Sequence, residues 1–397
     1  MKRLSLLLAA LVGFMAATAQ TVLFHTGDST GYPYRIPAIA AARNGDLIAL
    51  TDLRPCGGDI GNGRVDILCR TSSDNGQTWG PARTVLAGTG TGHDAGFGDA
   101  CLVADRDRNE LLLVCASGDV TYWKSTVDNP GRIVTLRARY SKRDGWVWDK
   151  QPRDLTDTFY KTLFGGRIRA MFVGSGRICQ SRQVKTGRYY RLYAALCTHQ
   201  GNYVVYSDDF GDTWAVLGSA VVSCAPSGDE PKCEELPDGS VLLSSRKQAG
   251  RYFNIFRYTN VGKAQGVWGA AVDSRTVTGG IANQSTPCNG EILITDARRA
   301  DGTKTVVALQ SLPAGPARAN VSIYWKELAT PADYATPRAF AANWQGVYRV
   351  SDRGSAYSTM VVQSDGRIAF FYEEEPEWYQ MLYRAIDLAT ITGGKLH

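Results

Sequence analysis

An all-β chain, folded as a six-bladed β-propeller of four-stranded antiparallel sheets, is the architecture this sequence predicts. Three observations predict it. Short segments rich in β-branched and aromatic residues recur along the chain, each bounded by Gly, Asp, Asn or Pro. Strong amphipathic helical stretches are absent beyond the first 19 residues. An eight-residue motif, S-x-D-x-G-x-T-W, occurs twice, as SSDNGQTW (72–79) and SDDFGDTW (207–214). Repetition of a short unit over a long chain is the mark of a modular architecture.

The elements follow in chain order. Lys2 and Arg3 precede an apolar run from Leu4 to Ala17, and Ala17-Thr18-Ala19 supplies an A-x-A cleavage pattern. Residues 1–19 therefore read as a secretory signal peptide, with 20–397 as the propeller and a periplasmic or extracellular address. The run of about 14 apolar residues is short of the ~20 that a spanning helix needs, so no stable membrane span is expected. Strands are expected at DLIALTDL (46–53), RVDILCRTS (64–72), ELLLVCAS (110–117), RYYRLYAAL (188–196) and NYVVYS (202–207). They continue at SVLLSSR (240–246), EILITD (291–296), TVVALQS (305–311), NVSIYWKE (320–327) and RIAFFYE (367–373). FYKTLFGG (159–166) offers at most a short turn of helix. No Pro/Ser-rich linker divides the chain, so it reads as one domain.

The repeat sets the blade count. SKRDGWVW (141–148) is a decayed copy that keeps Ser141, Gly145 and Trp148, and NVGKAQGVW (260–268) keeps Trp268. The four Trp are spaced by 69, 66 and 54 residues, and residues 20–397 allow 63 residues for each of six blades. In each motif the Asp carboxylate is suited to accept backbone N–H groups across a tight turn. Gly supplies positive φ, and Trp is expected to cap the seam with the next blade. A metal-binding role is disfavoured, because one carboxylate per repeat falls far short of the ~6–8 oxygens that Ca²⁺ takes.

Composition narrows the chemistry. Only four His are present, scattered at 25, 93, 199 and 397, which argues against His-based metal hydrolysis; no metal and no cofactor is expected. The chain has 32 Arg against 12 Lys and a net charge of +6, falling to +4 once residues 1–19 are removed. The arginines are dispersed rather than packed into a basic run, so a nucleic-acid partner is not expected. Nine Cys is an odd number, so at least one is unpaired; Cys101 and Cys115 sit where neighbouring strands would bring them close, and pairing is left open. GDSTG (27–31) matches the serine-hydrolase elbow, but the prolines of YPYRIP forbid the helix that must follow. GTGTGHDAGFG (88–98) leads into strand sequence, not the helix of a dinucleotide loop.

YRIP (34–37), the repeats, and a series of further motifs in order resemble the bacterial exo-α-sialidases (neuraminidases) with Asp-box repeats. The resemblance spans the whole chain after residue 19. It implies that Arg35, Arg246 and Arg318 form the arginine triad that grips a sialic acid carboxylate, a task suited to a planar, permanently charged fork. Arg338 and Arg349 compete with Arg318, whose ARANVSIY context fits the pattern better. In DLRPCGGDIGNGRVDIL (52–68) it implies Asp59 as acid/base and Arg54 as a contact to the sugar; Asp52 and Asp66 lie in strand-like runs that favour structural roles. GDACLVAD (98–105) puts Asp99 near the N-acyl group, with Asp105 a turn residue. SGDEPKCEELPDGSVLLSSR (227–246) implies Glu230 as the catalytic glutamate, leaving Glu234 and Glu235 as strand-end surface charges. GSAYSTMVVQSDGRIAFFYEEE (354–375) implies Tyr357 as nucleophile, with Tyr372 reading as core. Trp123 suits an acyl-pocket wall or a blade core.

These residue types cohere chemically. Sialic acid carries a carboxylate on its anomeric carbon, which would repel an Asp or Glu nucleophile. A tyrosine, neutral with a pKa of ~10, avoids that repulsion, and a neighbouring Glu takes its proton. The implied activity is retaining hydrolysis of terminal α-linked sialic acids through a covalent tyrosyl intermediate, with sialylated glycoproteins, glycolipids or oligosaccharides as partners. Trans-sialidase or intramolecular sialidase activity, or a non-catalytic sialoglycan-binding propeller, are the alternatives.

Overall fold

A computed structural model describes residues 20–226, 229–376 and 379–397. The expected signal peptide, residues 1–19, lies outside the described residues. Six antiparallel sheets, each built on four strands, form a ring. Blade 1 comprises Tyr34–Ala41, Leu47–Leu53, Asp66–Ser72 and Arg83–Leu86. Blade 2 follows with Phe97–Ala104, Glu110–Ser117, Arg132–Ser141 and Gly145–Trp148, and blade 3 with Cys179–Thr186, Tyr189–Thr198, Gly201–Ser207 and Ala215–Val216. Blade 4 is Pro231–Glu235, Val241–Lys247, Gly250–Asn260 and Gln265–Trp268; blade 5 is Ile292–Arg298, Lys304–Pro313, Val321–Glu327 and Gly346–Arg349. Blade 6 takes Ser355–Val362, Ile368–Glu374 and Gln380–Ile386, and borrows Thr21–Phe24 as its outer strand. The two ends of the propeller domain are thereby stitched into one sheet, which closes the ring.

The apolar core is six wedges, one between each pair of adjacent blades. Alternation along a strand sends successive side chains to opposite wedges. In Leu47–Leu53, Ile48 and Leu50 pack toward blade 2, whereas Leu47 and Ala49 pack toward blade 6. Both faces are buried, which is why these strands read as continuous apolar runs. The same alternation separates Cys101, on the blade 3 side, from Cys115, on the blade 1 side, so these two do not bridge. All nine cysteines are free thiols, eight of them buried.

The expected strands are present within two residues at their ends. Blades 2 and 4 add two-residue strands and blade 3 adds Met171–Val173; one of them, Gly176–Arg177, pairs in parallel with Phe97–Ala104, so the sheets are not purely antiparallel. FYKTLFGG forms a π-helical turn over Thr158–Leu163. GDSTG is a loop between Thr21–Phe24 and Tyr34–Ala41, and Phe97–Ala104 follows the Gly-rich stretch.

All four repeat copies occupy one topological position, the turn from the third to the fourth strand of a blade. The intact copies are superimposable in their bonding. Thr78 donates from its N–H (2.9 Å) and hydroxyl (2.6 Å) to Asp74, and Ser72 Oγ accepts from Gly76 N (2.9 Å). Asp209, Thr213, Ser207 and Gly211 repeat these contacts. The Thr78 hydroxyl and N–H hold Asp74 down to about 2, so it stays an acceptor-only anion. The Trp residues meet the preceding blade rather than the next. Trp79 packs edge-on against Tyr383 of blade 6 at 5.1 Å, and Trp268 Nε1 donates to Leu217 O, past the end of blade 3 (2.8 Å). The turn projects backward over the seam, carrying its Trp with it.

Gly76 shows how tight that seam is. Its φ is +79°, and a Cβ there would lie 2.2 Å from the Tyr383 hydroxyl oxygen. Gly76→Ala is expected to cost about 2–4 kcal/mol of stability in denaturant unfolding, from left-handed strain plus overpacking. Gly366→Ala, also at positive φ but facing open space, is expected to cost only about 1 kcal/mol.

Candidate active site

Three inner strands begin with a β-bulge at the same end of the ring. The register shifts between Arg35 and Ala38, between Gly98 and Cys101, and between Ser355 and Ser358. Bulges re-aim side chains, and here they release Arg35, Asp99 and Tyr357 toward the axis. Ile36 and Asp99 have positive φ (+62° and +55°). For a β-branched residue such as Ile this is costly backbone, of the kind that clusters at functional sites.

Together these residues wall a cavity of about 640 Å³, joined by Asp59, Asp229, Glu230, Arg246, Arg318 and the Tyr122–Trp123 turn. Seven of the eight expected site residues line it. Arg54 does not: buried beneath, it donates to Asp52 (3.0 Å) and to Asp59. Its fork thus ties the strand Leu47–Leu53 to the loop that presents Asp59, whose side chain is 80 % exposed at the mouth.

Tyr357 is the hub. Its hydroxyl donates a short hydrogen bond to Glu230 Oε1 and accepts one from Arg246 Nη1 (3.0 Å). Arg246 also holds Glu230 Oε2 (2.5 Å), and its Nε lies 2.9 Å from Asp229 Oδ2. The guanidinium groups of Arg35 and Arg318 lie 5.5 Å from the centre of the Tyr357 ring. Three arginines therefore converge on one phenol. Burial, with the Glu230 charge beside it, pushes the Tyr357 hydroxyl well above its ordinary range. It rests as a neutral phenol whose proton already points at a carboxylate.

The local fold explains the pairings. Glu230 and Arg246 face each other across the first hairpin of blade 4, where Arg246 N donates to Glu230 O (3.0 Å). Asp99 N donates to Asp52 Oδ2 (3.3 Å). Burial and the nearby Asp52 push the Asp99 carboxyl well above the usual carboxylate range, which favours a protonated acid able to donate a hydrogen bond. Burial, opposed by Arg54, raises Asp52 itself to about 6.

Among the competitors, Asp66 binds Arg64 and Gly88 N, Asp105 closes a turn on Asp107 N, and Tyr372 is core. Arg338 lies on the helix Pro337–Ala341, and Arg349 lines a different cavity. Glu234 and Glu235 are not surface charges. Both are buried, Glu234 bound by Arg177 (2.5 Å) and Glu235 by Ser181 and Arg182 N (2.7 Å). Trp123 is not blade core; it is 87 % exposed at the cavity rim, edge-on to Tyr122.

No protein-family model matches the chain. A sialidase of Micromonospora viridifaciens is 30 % identical over 356 residues, covering 86 % of this chain and 50 % of that protein. A sialidase of Paraclostridium sordellii is 24 % identical over 313 residues, covering 77 % and 74 %. Along most of its length the chain is thus similar to proteins named as sialidases. It spans half the length of the first of these relatives. Among solved structures, the intramolecular trans-sialidase from Ruminococcus gnavus shares the fold with a TM-score of 0.68 at 17 % identity, over 93 % of this chain and 97 % of that one.

Two residues of the site are not among those the sequence singles out. Asp229 pairs with Arg246. Glu373, wholly buried, accepts from Arg35 Nε (2.8 Å) and Nη2 (3.2 Å), from Ile36 N (2.7 Å) and from Tyr357 N (3.1 Å). Three consecutive glutamates ending an aromatic strand were the available signal, since one of them must point inward. Glu373→Gln leaves Arg35 buried without its counter-ion and is expected to lower unfolding stability by about 3–5 kcal/mol, read by chemical denaturation.

Proposed function

We propose that this chain is an exo-α-sialidase that hydrolyses terminal α-linked sialic acids with retention, through a tyrosyl intermediate. The observation that carries the reading is the Tyr357–Glu230 hydrogen bond inside a ring of three arginines. In this reading Arg35, Arg246 and Arg318 take the substrate carboxylate and so set the anomeric carbon against the Tyr357 oxygen. Tyr357 attacks as Glu230 Oε1 accepts its proton, so charge builds on the phenol only as it is consumed in the new C–O bond. Asp59, exposed at the mouth, donates its proton to the departing glycosidic oxygen. It then takes a proton from the water that cleaves the tyrosyl bond, while Glu230 gives back to the departing Tyr357 oxygen the proton it took in the first step. Two inversions give net retention. Asp99, as a protonated donor, is suited to the N-acyl side of the sugar.

Substrates in this reading are sialylated glycoproteins, glycolipids or oligosaccharides. The basic, apolar and A-x-A plan of residues 1–19 supports export. Among the described residues no helix is long and apolar enough to cross a membrane.

Purified protein is expected to release the aglycone of a fluorogenic sialoside between pH 4 and 8; no release anywhere in that range would sink the reading. Tyr357→Phe is expected to lose about 10³-fold or more in kcat while still binding sialic acid, and unchanged turnover would remove Tyr357 as nucleophile. Proton NMR of the first-formed product is expected to show the α-anomer of free sialic acid. The β-anomer first would overturn retention, and an anhydro or transferred product would favour the intramolecular or trans-sialidase alternative.

A further inference from the structure

Arg251 stands directly opposite Arg246 across the hairpin of Val241–Lys247 and Gly250–Asn260, so both side chains leave the same face of blade 4. Like charges in that register repel. Arg246 is compensated by Asp229 and Glu230. Arg251 is not: it is fully buried, and among the described residues no carboxylate lies within ion-pair distance of it. Its guanidinium donates only to neutral oxygens, from Nε to Ser244 Oγ (3.0 Å), from Nη2 to Ser244 O (3.1 Å) and from Nη1 to Cys288 O (3.3 Å). Burying an unpaired cation is costly, and an apolar side chain of similar volume would serve packing alone.

The segment it holds leads to the site. The Cys288 side chain packs with Ile36, Ala356 and Tyr357, and the preceding carbonyl, Pro287 O, accepts from Arg318 Nη2 (3.1 Å). We propose that Arg251 is a positioning residue: from behind the cavity it braces the Pro287–Cys288 backbone on which Arg318 and Tyr357 rest, and it sets a cation beneath the Asp229–Glu230 carboxylates. The charged and titratable groups facing it are Asp229 and Glu230 ahead of the inner strand of blade 4, Arg246 across the hairpin, and Cys288 ahead of blade 5. Burial lowers Arg251 to about 10, which leaves it charged throughout the neutral and acidic range.

The inference rests on the sialidase reading, and its test separates the two. Full-length wild type, Arg251→Met and Arg251→Lys are compared on a fluorogenic sialoside from pH 4 to 8. Arg251→Met is expected to raise KM about tenfold or more and to move the acidic limb of kcat/KM upward by about one pH unit. Arg251→Lys is expected to restore the limb but keep a KM several-fold above wild type, because an ammonium lacks the fork that reaches Ser244 and Cys288 together. Wild-type KM and limb in the folded variants overturn the proposal, and Arg251→Lys alone decides should Arg251→Met fail to fold. If wild type shows no turnover, the sialidase reading fails instead. A crystal structure of Arg251→Lys then decides the brace: Pro287, Cys288 and Arg318 unmoved would overturn it.

Discussion

The carboxylate of Glu373 is the point on which ring and site both depend. It lies in blade 6, the blade that borrows its outer strand from the start of the domain, and it reaches across the seam to blade 1. There it satisfies the Arg35 guanidinium and the Ile36 N–H, while a second oxygen takes the Tyr357 N–H on its own sheet. One buried anion thus aligns the two bulged strands that present the first arginine and the tyrosine. The positive φ at Ile36 is held open by the same contact, so the backbone strain is offset where it arises.

Charge around the cavity is layered. Cations face the Tyr357 ring, and anions stand behind or beside them: Glu373 behind Arg35, Asp229 and Glu230 on Arg246, Asp52 and Asp59 on Arg54. Removing Glu373 strands the Arg35 guanidinium in a region with little water, which is why such a pair is held as a unit. Arg318 stands apart, held through the Pro287 carbonyl rather than by a described carboxylate. Arg251, likewise without a described carboxylate within ion-pair distance, lies behind this layer.

Much of the fold was legible because propeller strands are short, apolar on both faces and separated by turn residues. The repeat turns were legible for a local reason, since the Asp74 and Asp209 networks close within eight residues. The direction in which their Trp residues pack was not, because that depends on which blade the turn overhangs. Glu234 and Glu235 were misread for a related reason. A charged pair before a PDG turn looks like a solvated strand end, and only assembly of the ring puts the inner strand of blade 4 beside Arg177, on the short strand added to blade 2, and Arg182 of blade 3. Trp123 is the converse case, an aromatic that suits a core and is instead at the rim.

By itself the sequence determined the blade-sized spacing, the turn chemistry of the repeats and seven residues that line the cavity, Asp229 not among them. Each of these rests on interactions between residues close in the chain, or on a motif read at one place. Tertiary structure decided what each group faces: Arg54 beneath the cavity rather than in it, Glu373 as the partner of Arg35 from 338 residues away, Asp229 beside Arg246. The reason is the period of the strand. Alternation says that neighbouring side chains part to opposite faces, but which face meets the axis is settled only when six sheets close on one another.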